Sequence, residues 1–204
     1  MSFFLLIINF VISWFNAKNT GKIWTESKHI GGAMRVTAIA GYTMAIAGFT
    51  LVYVMILMII VSYAGPATGY MSASQASYLT SLIGDMSYIL IATAIIPSGI
   101  IITINSIISF WRRKSLVGGG IAAWNTIATA RNVMNATRAM PSAFGRIIEA
   151  TKKQRGNGAI LMLALAIVLL AVLGGYFTAS AIVKKADREY DLFQNLNQQP
   201  LPVR

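Results

Sequence analysis

Side chains that could carry out chemistry are few in this chain and lie far apart. It has no cysteine, one histidine (His29) and six acidic residues. Without cysteine there are no disulfides, thiolate ligands or thiol nucleophiles, and one histidine falls short of the pair that a b-type haem needs. Glu26 and His29 could be neighbours on a helix, but two groups do not make a metal site. We therefore predict a protein that is not an enzyme, with no catalytic residues, no cofactor and no metal.

Three residues could form a kink or a polar pathway within apolar segments: Asp85, Pro97 and Asn105. Asp85 precedes a charge-free run, where a carboxylate favours the start of a helix. Pro97 removes a backbone hydrogen bond and is expected to kink its helix. Asn105 could bond to a neighbouring helix. Because ionisable groups on a transport pathway normally lie deeper and have partners, we prefer a packing role for these residues.

The elements that must hold these residues are long apolar segments. The chain is 56% hydrophobic and 11% charged, whereas soluble domains average about 25% charged residues. Val36–Gly84, Met86–Trp111 and Gly156–Val183 contain no charged residue, and about 18 apolar residues suffice to cross a bilayer. The predicted fold is an all-α integral membrane protein with three transmembrane helices. Residues 3–15 predict a further short hydrophobic helix, which we prefer as a span or a re-entrant segment over an interfacial helix.

Small residues are aligned along one face of two of these predicted helices. They are Ala38, Gly41, Ala45 and Gly48 in the first span, and Ala164, Ala171, Gly175 and Ala179 in the third. Small side chains let a second helix approach closely, so both faces are predicted helix-packing sites. In one arrangement, many copies would form a ring around a pore through the Ala171 and Gly175 face.

Cations are concentrated in residues 112–157, which carry nine of the seventeen lysines and arginines. The pattern predicts a flexible joint at Gly118–Gly120, followed by two basic amphipathic helices, Ile121–Met140 and one that starts at Pro141. Such helices lie on the membrane surface or dock on a partner subunit. The residues predicted to contact lipid or a partner are Arg112, Arg113, Lys114, Trp124, Arg131, Arg138, Arg146, Lys152, Lys153 and Arg155.

The chain divides into six consecutive segments with a predicted topology. They are an N-terminal hydrophobic helix (1–17), a basic polar loop (18–35), a two-helix membrane hairpin (36–111), the basic segment (112–157), a last transmembrane helix (158–183) and a polar tail (184–204). Lysine and arginine collect on the cytoplasmic side of membrane proteins. Residues 18–35 and 112–157 are therefore predicted to be cytoplasmic. The cation-free stretch 65–85 and the tail are predicted on the other side of a membrane that we expect to be the bacterial inner membrane.

The net charge of +11 favours anionic membrane lipids as partners, with nucleic acid ranked below them. The leading hypothesis for function is a non-enzymatic subunit with a structural or assembly role in a larger homo- or hetero-oligomeric membrane complex. The class that we expect first is a secretion- or conjugation-type machine. One alternative is a small stand-alone channel or transporter. A second is a virion or filament structural protein whose basic segment contacts lipid or nucleic acid.

Overall fold

The computed structural model describes residues 3–152 and 154–197, and within that part of the chain it contains five helices and no strand. The helices are α1 (Phe3–Ile30), α2 (Gly32–Ala67), α3 (Ala73–Arg113), α4 (Leu116–Lys152) and α5 (Gln154–Asn197). Three segments are long and apolar enough to cross a membrane: Gly32–Ala67, Ala73–Arg112 and Gly158–Phe193. The predictions of an all-helical protein and of three candidate membrane spans are therefore confirmed.

The helices run alternately up and down in a bundle arranged around α2. This helix packs against α1, α3 and α5, whereas α4 lies mainly against α3. Thr37 contacts Asn105, and Ser62 contacts Thr80, so α2 and α3 are antiparallel along most of their length. We call the end with the α1–α2 turn the Gly31 end, and the end with the α2–α3 turn the Gly69 end.

Two apolar clusters hold the bundle together. The first cluster joins α2, α3, α4 and α5 and consists of Val54, Leu79, Leu82, Ile83, Ala150, Ala164, Val168 and Ala171. The second cluster joins α1, α2 and α5 and consists of Ala17, Ala45, Phe49, Ala179 and Val183. Because only the first cluster includes a residue of α4, that helix is attached at the edge of the bundle.

Helix α1 continues through most of the segment predicted to be a basic polar loop. It ends at Ile30, where Gly31 and Gly32 adopt positive φ angles of 68° and 46°. Glycine populates this region freely, so the chain turns at this glycine pair. The helix persists because Thr20 and Thr25 are buried, and the contacts of this part of α1 with the bundle outweigh its polar composition.

The α2–α3 turn is short, and α3 begins well before the charge-free run that starts at Met86. Gly69 has a φ of 73°, and Ser72 caps α3 in a capping box. The Ser72 hydroxyl accepts from the Gln75 backbone N–H at 3.2 Å, and the Gln75 side chain accepts from the Ser72 N–H at 2.8 Å. This reciprocal pair satisfies two backbone donors that a helix start leaves free.

Helix α4 is one continuous helix, where the sequence predicted a flexible joint followed by two helices. Gly118–Gly120 lie in its first turns, where the Ser115 hydroxyl accepts from the Gly118 N–H at 3.0 Å. Pro141 lies inside the helix and is exposed. Contacts with α3 on both sides of Pro141, at Thr129 and Arg146, hold the helix in line despite the backbone hydrogen bond that proline removes.

Helix α5 extends from Gln154 to Asn197. It therefore begins before residue 158, where the last transmembrane helix was predicted to start, and it continues into the segment predicted to be a polar tail. The extension past Val183 packs against α1, because Asp187 pairs with Lys28 and the Tyr190 hydroxyl donates to Glu26 at 3.3 Å.

Two segments lie at other places in the bundle than the charge pattern predicts. Helix α4 runs back along α3 until Arg146 reaches Asp85, so 112–157 does not lie as a unit at the opposite end from 65–85. Asp187 contacts Thr25 and Lys28, so the end of α5 lies beside 18–35 and not opposite to it. The physical reason is that α4 adds one more passage between the two ends of the bundle.

Candidate functional site

The glycines of the small-residue face on α2 lie against α1. A Cβ added at Gly41 would lie 2.6 Å from Thr20 Oγ1, and a Cβ at Gly48 would collide with the Ser13 side chain. The two helices approach closely only because neither position carries a side chain.

The small-residue face of α5 lies against α2 in the same chain. A Cβ at Gly175 would lie 2.7 Å from Thr50 N and 2.9 Å from Ile46 O. The alanines of both small-residue faces are fully buried: Ala38, Ala45, Ala164, Ala171 and Ala179. Within one chain the Ala171 and Gly175 face is therefore already covered, and a ring of copies in contact through it stays a prediction.

Helices α3 and α4 are joined by a row of polar contacts that we call the polar seam. Thr103 Oγ1 donates to the backbone O of Asn125 at 3.1 Å and lies 3.0 Å from the hydroxyl of Thr129. Asn125 Nδ2 donates to Ser106 Oγ at 2.7 Å. A Cβ at Gly99 would lie 2.9 Å from Thr129 Oγ1. The seam therefore combines close backbone approach with side-chain hydrogen bonds between two helices, as in membrane helix pairs.

The buried face of α4 repeats every seven residues. Four alanines and one threonine make up this repeat, and all the alanines are buried: Ala122, Thr129, Ala136, Ala143 and Ala150. A seven-residue repeat keeps one helix face in contact with a neighbour over several turns. The seven-residue spacing of these small residues is visible in the sequence. The cations of the same segment lie on the opposite face, and the predicted contacts were assigned to that face.

Asp85 and Arg146 form a bidentate ion pair at the Gly69 end of the seam. Arg146 Nε donates to Asp85 Oδ2 at 2.7 Å, and Arg146 Nη2 donates to Asp85 Oδ1 at 2.6 Å. The Asp85 side chain is only 10% exposed, whereas that of Arg146 is 54% exposed.

A cavity of about 500 Å³ adjoins this ion pair, between α3, α4 and the start of α5. Polar and apolar side chains share its wall: Ser74, Gln75, Tyr78, Ser81, Leu82, Asp85, Arg146, Glu149, Ala150 and Ile160. The cavity is therefore large enough for a small polar molecule or several waters.

The three residues predicted as a kink or polar pathway do not come together. Asp85 faces α4, whereas Asn105 donates to Thr37 Oγ1 of α2. The two residues are 20 positions apart on α3, or roughly 30 Å at 1.5 Å per residue. Pro97 is exposed, and α3 continues through it. The arrangement favours separate packing contacts for Asp85 and Asn105 over one continuous path.

A second polar cluster joins α1 to α5 at the Gly31 end. Lys28 Nζ lies 2.8 Å from Asp187 Oδ1, and Thr25 Oγ1 donates to the same oxygen at 2.6 Å. The Tyr42 and Ser180 hydroxyls bond to each other about two turns deeper, between α2 and α5. The sequence gives no signal that pairs these residues. In each contact, more than a hundred positions separate the α5 residue from its partner on α1 or α2.

The predicted lipid- or partner-contacting residues are mostly at the surface. Trp124 is 73% exposed. The exposed cations of this set are Arg112, Lys114, Arg131, Arg138, Arg146 and Lys152. Lys153 and the side chains of Arg113 and Arg155 lie outside the described part of the chain. Of the exposed cations, only Arg146 is joined to another helix by an ion pair in the described residues.

No protein family, curated protein or solved structure matches this chain. Among residues 3–152 and 154–197, no group of three or more His, Asp or Glu side chains is placed to hold a metal ion. What the geometry offers is a set of polar contacts between helices, a cavity beside an ion pair, and an exposed outer face on α4.

Proposed function

We propose that this chain is a non-enzymatic membrane subunit with a structural or assembly role in a larger membrane complex. The observation that carries the proposal is that polar side chains between the helices bond to one another across helix pairs. Examples are Thr103 with Thr129, Tyr53 with Thr178, and Asp85 with Arg146. Such contacts stabilise one arrangement of the helices, and they leave the outer surface, with its apolar and basic side chains, for lipid and other subunits.

The orientation that we propose has the Gly31 end in the cytoplasm. Most lysines and arginines belong to segments that meet at this end: Lys18, Lys22, Lys28, Arg35, Arg112, Arg113, Lys114, Lys184, Lys185 and Arg188. Cations near the ends of membrane helices are retained on the cytoplasmic side and are attracted to anionic lipid headgroups. The membrane is a bacterial inner membrane in this proposal, and the complex is a secretion- or conjugation-type machine.

Co-purification tests the subunit proposal. The full chain, carrying an affinity tag after Arg204, is extracted in two mild detergents and its co-purifying chains are identified by mass spectrometry. We expect the same chains at a constant ratio to the tagged protein in both detergents. A monodisperse monomer with no companion in either detergent contradicts the proposal.

The cavity beside Asp85 and Arg146 supports a second candidate function, a small stand-alone channel or transporter. In that case the purified chain, reconstituted alone in liposomes, passes ions or small solutes, and Asp85→Asn changes the flux. Asn105→Leu serves as the matched control, because Asn105 lies far from the cavity and contacts α2. Flux no greater than that of empty liposomes contradicts this candidate.

A further inference from the structure

Helix α4 turns two different faces to its surroundings. The face with the seven-residue repeat of alanines lies against α3. Trp124, Arg131 and Arg138 are also spaced seven residues apart, and all three are exposed. At about 100° per residue this second repeat lies on the side of α4 directed away from α3. We call it the basic stripe.

The depth of the basic stripe follows from the register of α4 on α3. The Ser106–Asn125 and Asp85–Arg146 contacts are 21 residues apart on both helices. The two helices therefore run antiparallel in constant register between those contacts. Arg131 is then level with Ile100 of α3, and Arg138 is level with Thr93.

The α3 residues that are level with Arg131 and Arg138 both lie well inside the charge-free run Met86–Trp111. Thr93, which is level with Arg138, is seven positions from Met86 at one end of the run. Ile100, which is level with Arg131, is 11 positions from Trp111 at the other end. At 1.5 Å per residue these distances are about 10 and 16 Å. A hydrocarbon core is about 30 Å thick, so Arg131 lies near its middle if α3 crosses the membrane.

A guanidinium exposed to lipid at that depth is strongly disfavoured. Charged residues in membrane segments normally face the bundle interior, a water-filled cavity or a partner of opposite charge. In the described part of the chain, neither Arg131 nor Arg138 has an ion-pair or hydrogen-bond partner. Where α3 crosses the membrane, α4 does not lie in the plane of the membrane surface, because it follows α3 lengthwise.

A second copy of this chain cannot supply the missing charge. Glu26, Asp187, Glu189 and Asp191 lie toward the Gly31 end, and Asp85 is held by Arg146. Glu149 lies beyond Arg146 toward the Gly69 end and has an interaction of its own. Lipid headgroups are at the membrane surface, about 15 Å from the middle of the core, and do not reach the level of Arg131.

We propose that the basic stripe of α4 binds a transmembrane helix of a different subunit, one that carries two carboxylates a heptad apart at the level of Arg131 and Arg138. Apolar side chains beside the stripe provide the packing surface for that helix, since Ile127 is 64% exposed and Met134 is 54% exposed. Arginine is well suited to the contact because it pairs with carboxylate through two parallel hydrogen bonds. This inference rests on the subunit role proposed above and identifies the chemistry of one partner.

Two designed peptides test the proposal with the full chain. Each is a leucine- and alanine-based transmembrane helix of about 24 residues, with either two glutamates or two glutamines seven positions apart near its centre. The full chain carries a donor dye on Ser74→Cys, an exposed site away from the stripe. Energy transfer to acceptor-labelled peptide is measured in phosphatidylcholine vesicles at alkaline pH, where the glutamates ionise more readily.

We expect the glutamate peptide to bind about tenfold more tightly than the glutamine peptide, because each of the two arginine–glutamate contacts adds about threefold, near the average for an interhelical polar contact in a membrane protein. The variant Arg131→Gln/Arg138→Gln loses this preference. The matched variant Arg112→Gln/Lys114→Gln keeps it, because it removes two exposed cations outside the stripe. Retained helical circular dichroism shows that each variant is folded.

Three results would overturn the proposal. They are equal binding of the two peptides, a glutamate preference that survives loss of both stripe arginines, and a preference that is abolished by adding phosphatidylglycerol. The last result would assign the stripe to anionic lipid. Failure of the subunit role is a separate outcome, because it would appear as a lack of co-purifying chains. Companions that co-purify unchanged with Arg131→Gln/Arg138→Gln would remove the stripe as their binding site and leave the subunit role intact.

Discussion

At the residue scale, the Asp85–Arg146 pair is asymmetric in its exposure to solvent. The carboxylate is almost wholly covered, and the guanidinium is about half exposed. Removing the arginine would leave a buried negative charge without a partner, whereas removing the aspartate would leave a cation that can reach water or headgroups. Uncompensated buried charge is the costlier state.

We therefore expect Arg146→Gln to lower the thermal midpoint in detergent by roughly 5 °C or more, and by more than Asp85→Asn. The double variant should be more stable than Arg146→Gln alone, because it removes the unpaired carboxylate. Tryptophan fluorescence during heating gives the midpoints, with Arg112→Gln as an exposed-cation control. An equal or larger loss in Asp85→Asn would contradict this account.

Asn105 and Thr37 provide a second test at this scale, because their side chains bond between α3 and α2. Interhelical hydrogen bonds in membrane proteins contribute modestly, since the unfolded helices in lipid also find partners. A double-mutant cycle with Asn105→Leu and Thr37→Val should give a coupling energy of about 0.6 kcal/mol. Unfolding in mixed detergent micelles measures it. A coupling near zero would mean that this contact does not stabilise the α2–α3 pair.

At the element scale, close helix approach is the common feature of the bundle. Gly175 of α5 faces the backbone of α2, whereas a Cβ at Gly145 of α4 would meet nothing within 4 Å. The same substitution therefore has opposite consequences at the two sites. Backbone atoms cannot move aside as a flexible side chain can, so the α2–α5 contact requires glycine.

We expect Gly175→Ala to destabilise the bundle by about 1–3 kcal/mol through overpacking. Gly145→Ala should be neutral or stabilising, by up to about 1 kcal/mol, because alanine has the higher helix propensity. Unfolding free energies of the two variants, measured under the same conditions, test the prediction. Equal effects of the two substitutions would show that the close α2–α5 approach does not limit stability.

At the scale of the whole molecule, α4 decides which segments share an end of the bundle. It returns the chain to the Gly69 end, and α5 then carries it back to the Gly31 end beside Thr25 and Lys28. The charge pattern alone placed the tail opposite to 18–35, since it counted only the three apolar runs as membrane passages between residues 18–35 and the tail.

Single cysteines in this cysteine-free chain test that arrangement. Lys22→Cys and Glu189→Cys should react with a membrane-impermeant maleimide from the same side of sealed vesicles, and Ser74→Cys from the other side. All three positions are exposed. Labelling of positions 22 and 189 from opposite sides would contradict the five-helix arrangement and restore the topology read from charge.

The sequence by itself determined the helical class and the three candidate membrane spans, because apolar length and charge are local properties of a segment. The path of α4 was decided only by tertiary structure. The arginines of α4 are typical of a surface helix, and the alanine repeat of α4 is explained only by its packing against α3. The Asp85–Arg146 pair joins positions 61 residues apart. Tertiary structure also decided that α4 continues through Gly118–Gly120 and Pro141. Contacts with a neighbouring helix outweigh the weak local preferences of single residues.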